Sequence, residues 1–238
     1  MAWSHRGENS HVSHPLDQAI TELCRCRRVA GMTLMEMVVS LAIASLLFAM
    51  TSGVITAGSD SYKESAISHR LESEVRVALD RVASLLQEAS RSSLIPNNLG
   101  LTPISQLEFE APIGLGEAGV LFSSPIMLMT VLRPSELPDG QDNDNNGIID
   151  DCDLIMIRNF GSPDEQRFIL ASGIPPMAEG EAWNTFDDNA NGMVDEGGFA
   201  LQILGSTARI SLTLQAKSPI AGKIITRSLA TAITIRNP

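Results

Sequence analysis

The distribution of apolar residues divides the chain into a long uncharged segment near the N-terminus and a remainder with shorter apolar repeats. Residues 37–57 contain no charged side chain. In a helix these 21 residues would extend about 30 Å, the thickness of the hydrocarbon core of a bilayer. The pattern therefore predicts a membrane-spanning helix. Arg25, Arg27 and Arg28 precede this helix and are expected to remain on the cytoplasmic side.

The helical pattern continues beyond the uncharged segment, with apolar residues three and four positions apart. This spacing places them on one face of a helix. The face consists of Ile67, Leu71, Val75, Leu79, Val82, Leu86 and Ala89. Pro96 is expected to stop the helix. One long helix would thus meet lipid along its first half, and water and a protein core along its second half.

After residue 96 the chain changes to short apolar segments, some of which alternate apolar and polar residues. Leu107 and Phe109, for example, fall on the same face of an extended segment, as in a half-buried strand. The predicted strands are 105–110, 125–133, 152–160, 166–171, 199–204, 208–216 and 223–236. A long helix followed by strands predicts an α+β fold, in which an antiparallel sheet packs on the helix.

Composition narrows the possible functions. The net charge is −11 and aromatic residues make up 4% of the chain, which argues against nucleic-acid binding but suits hard cations. The sequence has no G-x-S-x-G, H-E-x-x-H or phosphate-loop motif, and His69 is the one histidine after residue 31. An enzyme is therefore not expected. Cys24 and Cys26 precede residue 31, so Cys152 alone remains after it and cannot form an internal disulfide.

The start of the apolar segment carries a specific order of residues. Gly31, the pair Thr33-Leu34 and Glu36 follow the basic stretch and precede the uncharged helix. A carboxylate at the entrance to lipid costs a few kcal/mol, so Glu36 is expected to have a function. This order resembles the N-terminal signature of type IV prepilins and type II secretion pseudopilins. The resemblance is close over residues 25–60, although Met32 stands where the family usually has Phe.

The resemblance implies that the prepilin peptidase cleaves between Gly31 and Met32 and methylates the new amino group. It also implies that Glu36 pairs with this amine on a neighbouring pilin or pseudopilin in a filament. The expected organisation is a cleaved leader (1–31), a transmembrane assembly helix (32–58), an amphipathic helix (59–95) and a β-rich region (96–238). The protein is then expected in the bacterial inner membrane, with a single span and a periplasmic soluble domain.

Within this family, the size and the ending Thr234-Ile235-Arg236-Asn237 resemble the J-type pseudopilins and W-type minor pilins, which prime or cap filaments. Other interpretations of the same chain are open. An ordinary signal anchor would leave Glu36 unexplained. A membrane-anchored calcium-binding adhesin or sensor would retain the leader and never join a filament. The leader is long for the family, which an early start codon would explain.

Residues 142–153 have the residue order of an EF-hand calcium loop, with Gly147 at the sharp bend. The predicted calcium ligands are Asp142, Asp144, Asn146, the carbonyl of Ile148, Asp150 and Asp153. Asp153 occupies the position where a bidentate Glu is usual. A strand pattern follows the loop where an EF-hand has a helix. The alternative is a solvated turn rich in Asn and Asp.

Residues 187–198 repeat this order less completely. The predicted ligands here are Asp187, Asn189, Asn191, the carbonyl of Met193, Asp195 and Glu196. Gly198 occupies the last position and offers no ligand, so Glu196 would have to reach back. We expect calcium to replace the missing disulfide by tying both loops to the sheet.

Overall fold

The structure is a computed structural model that describes residues 31–96, 102–117, 119–220 and 222–236. The predicted basic leader, with Arg25, Arg27 and Arg28, lies outside the described residues. The chain forms two compact units, Met1–Val54 and Ile55–Pro238.

The helix α1 (Leu34–Glu88) begins in the first unit, where it presents apolar side chains outwards. No residue between 31 and 58 is buried, and the side chains of Leu34, Phe48 and Val54 are 83%, 77% and 73% exposed. By length and composition, α1 could cross a membrane. The predicted long apolar helix is thereby confirmed.

In the second unit, one face of α1 contributes to a hydrophobic core. Leu71, Val75, Ala78, Leu79, Val82 and Leu86 are buried along this face. The predicted apolar stripe is confirmed. On an exposed face, Arg76 Nη2 lies 2.9 Å from Glu72 Oε1. Such a solvent-exposed pair stabilises the helix by less than about 1 kcal/mol.

The described residues after α1 form nine strands, and all pairings between them are antiparallel. They are β1 (Gln106–Phe109), β2 (Pro112–Gly116), β3 (Gly119–Phe122), β4 (Ile126–Leu132), β5 (Cys152–Arg158), β6 (Gln166–Ile174), β7 (Phe199–Leu204), β8 (Thr207–Lys217) and β9 (Ile224–Thr234). The first sheet has the order β1-β4-β5-β6, the second has the order β7-β8-β9, and β2-β3 is a separate hairpin.

The core joins α1 to both sheets, which confirms the predicted α+β architecture. Phe109 and Leu154 from the first sheet and Phe199 from the second belong to the same buried cluster as the inner face of α1. Burial of each such side chain contributes about 1.5–3 kcal/mol. An isolated bridge between Ile104 and Leu201 links the segment before β1 to β7.

The hairpin β2-β3 is absent from the sequence-based prediction. Its large apolar side chains face solvent, with Ile113 67% and Leu115 84% exposed. Glycines at positions 114, 116 and 119 interrupt its apolar pattern. Ile113 and Leu115 thus alternate with glycines instead of polar residues, and the apolar run 120–122 is shorter than the four to eight residues that predict a strand.

Candidate functional site

The predicted cleavage site lies at the exposed start of the described chain. Gly31 and Met32 precede α1, and Met32 is 60% exposed. A Cβ atom added at Gly31 would meet nothing within 4 Å, and its φ lies outside the left-handed region. The fold of the described residues therefore does not require glycine here. Any requirement for Gly31 has to come from another molecule that recognises it.

Thr33 and Glu36 form a capping box at the start of α1. The Glu36 carboxylate accepts hydrogen bonds from the Thr33 N–H at 2.9 Å and from the Thr33 hydroxyl at 3.0 Å. The Thr33 hydroxyl oxygen accepts in turn from the Glu36 N–H at 3.2 Å. This reciprocal arrangement satisfies N–H groups that a helix leaves free at its N-terminus.

The capping box gives Glu36 a role within its own chain. The sequence analysis missed this role, although the T-x-x-E spacing of Thr33 and Glu36 signals it. Glutamine can occupy the same position in a capping box, whereas only a carboxylate can pair with a cationic amine. The single substitution Glu36→Gln therefore removes the charge and retains the capping hydrogen bonds.

The first acidic loop brings together three carboxylates that could hold a cation. Glu136, Asp142 and Asp144 each offer one oxygen, and these oxygens lie within 4.8 Å of one another. Glu136 is only 4% exposed. Its Oε1 accepts the Asp144 N–H at 2.9 Å, which holds it against the loop. The sequence analysis missed Glu136 because it precedes the twelve-residue pattern.

Short-range hydrogen bonds fix the conformation of this loop. The Asn146 N–H donates to Asp142 Oδ1 at 3.0 Å and to Asp144 Oδ1 at 2.9 Å. Asn146 Oδ1 accepts from the Ile148 N–H at 2.7 Å. Gly147 has a φ of 93°, and a Cβ there would lie 2.8 Å from Lys217 Cδ. The positive φ therefore favours glycine at this bend, and any larger residue would also have to displace the Lys217 side chain.

Asp150 and Asp153 are not part of the carboxylate group around Glu136. The Asp150 carboxylate accepts the Gly140 N–H at 3.0 Å. Asp153 Oδ1 lies 3.7 Å from Arg133 Nε, within an ion-pair cluster. The structure thus brings Asp142, Asp144 and Asn146 together, and places Asp150 and Asp153 in other contacts.

Asp151, a residue outside the predicted ligand set, is the most buried acid of the first loop, with 0% exposure. Burial raises the pKa of Asp151, and the hydrogen bond from Arg133 opposes this effect. Burial also tends to raise the pKa of Asp144. The hydrogen bonds from Asn146 and Ser135 have the larger combined effect, so the pKa of Asp144 is lowered.

The second acidic loop repeats these contacts. The Asn191 N–H donates to Asp187 Oδ1 at 3.0 Å and to Asn189 Oδ1 at 2.9 Å. Asn191 Oδ1 accepts the Met193 N–H at 2.8 Å. The Asp195 carboxylate accepts the Thr185 N–H at 3.0 Å. The structure therefore places Asp187, Asn189 and Asn191 together and directs Asp195 to the backbone.

Cys152 and His69 are two further side chains that the sequence analysis singled out. Burial raises the pKa of the Cys152 thiol, and Asp151 and Asp153 add to this effect. The thiol therefore stays protonated, which makes it a poor nucleophile. His69 is exposed on α1.

In a comparison with protein-family models, residues 26–52 match the prokaryotic N-terminal methylation motif. The matched range includes Gly31, Met32, Glu36 and the first part of α1. The chain therefore carries a prepilin-type signal at its N-terminus, as the sequence analysis predicted. Searches of curated proteins and of solved structures found no match.

Proposed function

We propose that this chain is a minor pilin or pseudopilin subunit of a type IV pilus or type II secretion filament. The prepilin-type motif at residues 26–52 is the observation that carries the proposal. The outward-facing apolar surface of α1 supports it, because lipid or neighbouring helices can cover such a surface. The size and the ending Thr234-Ile235-Arg236-Asn237 resemble the J-type and W-type minor members of this family.

Processing would hydrolyse the peptide bond between Gly31 and Met32, which releases the leader and leaves a free amino group on Met32. The prepilin peptidase would then methylate this amine. Both residues are exposed, so a protease can reach the bond. In a filament, Glu36 of one subunit would pair with the Met32 amine of its neighbour. An unpaired charge in a helical core of low dielectric is costly, so this pair would set the axial register.

A mass-spectrometric analysis of the protein isolated from membranes tests the processing step. In cells with the prepilin peptidase, the expected N-terminus is a methylated Met32. In cells that lack the peptidase, the chain should retain all residues up to Gly31. An intact leader in the presence of the peptidase would contradict the proposal and favour the membrane-anchored adhesin or sensor. Crosslinking to other pilins should then require the processed form.

We further propose that the first acidic loop binds calcium. The convergent oxygens of Glu136, Asp142 and Asp144 support this, because calcium prefers carboxylate ligands. An ion there would neutralise part of a cluster that is otherwise repulsive. It would also stabilise the folded state, since it binds that state alone.

A further inference from the structure

The two acidic loops belong to a longer repeat. Residues 136–151 and 181–196 align without a gap, so that each residue of the first segment has a counterpart 45 positions later. Glu136 corresponds to Glu181, and Asp151 corresponds to Glu196. We call these segments module 1 and module 2. Module 1 precedes β5 directly, and module 2 lies shortly before β7.

The modules share their hydrogen bonds as well as their spacing. Glu136 Oε1 accepts the Asp144 N–H at 2.9 Å, and Glu181 Oε1 accepts the Asn189 N–H at 3.0 Å. The backbone conformations also correspond, since Gly147 has a φ of 93° and its counterpart has 87°. The two segments are therefore one local structure used twice.

Each module is attached to β8 by a basic side chain. Arg209 Nη2 donates to the Asn191 carbonyl at 2.6 Å, and Lys217 Nζ donates to the Asn145 carbonyl at 3.4 Å. Both contacts go to carbonyls at the tips of the loops. Each of these two basic side chains therefore contacts its loop at a main-chain carbonyl and not at a carboxylate.

The modules differ in whether a cationic side chain lies beside their buried acid. Asp151 of module 1 lies 3.1 Å from Arg133 Nη1. The position that corresponds to Arg133 is Ala178, which carries no charge. Glu196 of module 2 is 1% exposed, and its Oε2 has no hydrogen-bond partner. A buried carboxylate oxygen without a partner is costly, so module 2 lacks a component that module 1 has.

The unpartnered oxygens of module 2 lie on carboxylates that converge on one residue. Glu196 Oε1 accepts from Asn189 Nδ2 at 2.9 Å, and Glu181 Oε1 accepts from the Asn189 N–H. The second oxygen of each carboxylate, Oε2, is buried and has no partner. Glu196 Oε1 also accepts from Asn191 Nδ2, so this side chain is directed into the loop.

We propose that module 2 is a second calcium site, built on the unpartnered oxygens of Glu181 and Glu196 and on the side-chain oxygen of Asn189. A divalent cation would satisfy both unpartnered oxygens and supply a positive charge next to Glu196, where Ala178 supplies none. All three side chains offer oxygen, the ligand atom that calcium prefers. The site is independent of processing after Gly31 and of assembly into a filament.

Terbium luminescence tests this site directly, because Trp183 lies within module 2. The protein for this experiment is the full chain in non-ionic detergent with the substitution Trp3→Phe. Trp183 is then the sole tryptophan, since the chain contains two. Terbium in module 2 should give emission sensitised by Trp183, and added calcium should displace it. Magnesium should displace it far less, because magnesium retains most of its water ligands.

Glu196→Gln is the decisive variant, and Glu179→Gln is its matched control. Glu179 is exposed, so its substitution makes the same charge change next to the site. Glu196→Gln should lose the sensitised emission and one calcium ion per chain by calorimetry, whereas Glu179→Gln should lose neither. If the substitution at Glu196 leaves both readouts unchanged, or the control loses as much, module 2 is not the site.

Thermal melting separates loss of the site from loss of the fold. In chelator, Glu196→Gln should melt at the same temperature as the unmodified chain or above it, because it removes an uncompensated buried charge. In calcium, its rise in melting temperature should be smaller than that of the unmodified chain. A variant that melts lower in chelator would show that the carboxylate serves the metal-free loop, and would overturn the proposal. If module 1 binds no calcium, calorimetry should find one ion per chain in the unmodified protein and none in Glu196→Gln.

Discussion

Arg133 Nη1 lies 3.1 Å from Oδ2 of Asp151, a carboxylate with no solvent exposure. The same guanidinium lies 3.5 Å from Asp144 and 3.7 Å from Asp153. One cation thus serves three acids at the end of the first acidic loop. The arrangement links this loop to β5, which begins at Cys152.

Replacement of Arg133 by Gln should destabilise the metal-free protein. It leaves the Asp151 carboxylate buried without its cation, and such a loss costs about 2–4 kcal/mol when one partner remains partly hydrated. The measurement is urea unfolding in chelator. Arg167→Gln is the control, because the exposed Arg167 side chain in β6 pairs with Glu165, and the loss of this pair should cost less than about 1 kcal/mol. Equal effects of the two substitutions would show that Asp151 does not depend on Arg133.

Removal of calcium should lower the melting temperature of the full chain in detergent. A ligand at 100 times its dissociation constant stabilises the folded state by about 2.7 kcal/mol. For a domain of this size, each kcal/mol corresponds to roughly 2–4 °C. Differential scanning calorimetry in calcium and in chelator gives the shift. Identical melting temperatures in both solutions would show that neither loop binds calcium.

Asp142→Asn assigns part of that shift to the first loop. Asparagine keeps one oxygen that can accept the Asn146 N–H, but it removes the charge that attracts the ion and the second oxygen, which accepts the Gly147 N–H at 2.7 Å. We expect the calcium-dependent rise in melting temperature to decrease, and the melting temperature in chelator to fall by the loss of one hydrogen bond, about 1 kcal/mol. Asp139→Asn provides the control, since Asp139 is exposed and lies outside the carboxylate group. A full calcium effect in Asp142→Asn would exclude Asp142 as a ligand.

Glu36→Gln should insert into the membrane normally and fail to assemble. Glutamine can complete the capping box with Thr33, so the start of α1 remains intact, but it cannot neutralise an amine. Crosslinking to neighbouring subunits measures assembly, and membrane fractionation measures insertion. Glu36→Leu removes both functions and should also fail. Normal assembly of Glu36→Gln would show that Glu36 acts in capping alone.

Gly31→Val should retain the leader as a larger band on a gel. The described structure offers open space at Gly31, so the defect would reflect recognition by the peptidase and not misfolding. Gly58→Val is a suitable control, because a Cβ at Gly58 also meets nothing within 4 Å. The control should be processed normally. Complete removal of the leader from Gly31→Val would place the cleavage elsewhere.

The sequence predicted the helix and most strands well, because their signals are local and periodic. Leu71 and Val75 are four residues apart, and a helix repeats every 3.6 residues, so both side chains lie on the same buried face. The hairpin β2-β3 was missed because its residues are exposed and rich in glycine. Burial produces the pattern from which a strand is recognised, and this hairpin has little of it.

The candidate sites were predictable only in part. Asp142 and Asp144 were found because a short loop template includes them. Glu136 was missed because its contact with the loop depends on the path of the chain before it. Asp153 was assigned by the template to the end of an EF-hand loop, but here a strand follows, and its carboxylate lies beside Arg133. Local sequence thus indicates which oxygens belong to a loop, but the surrounding fold decides which of them converge.

Each sixteen-residue module closes most of its polar contacts within itself, between an upstream glutamate and a downstream acid. The surrounding fold adds a few basic side chains, which are Arg209 and Lys217 from β8 and, for module 1, Arg133. Transplanted between two strands of an unrelated β-protein, such a module would carry its own turn geometry along. The same turn geometry therefore occurs twice in this chain, before strands of two different sheets.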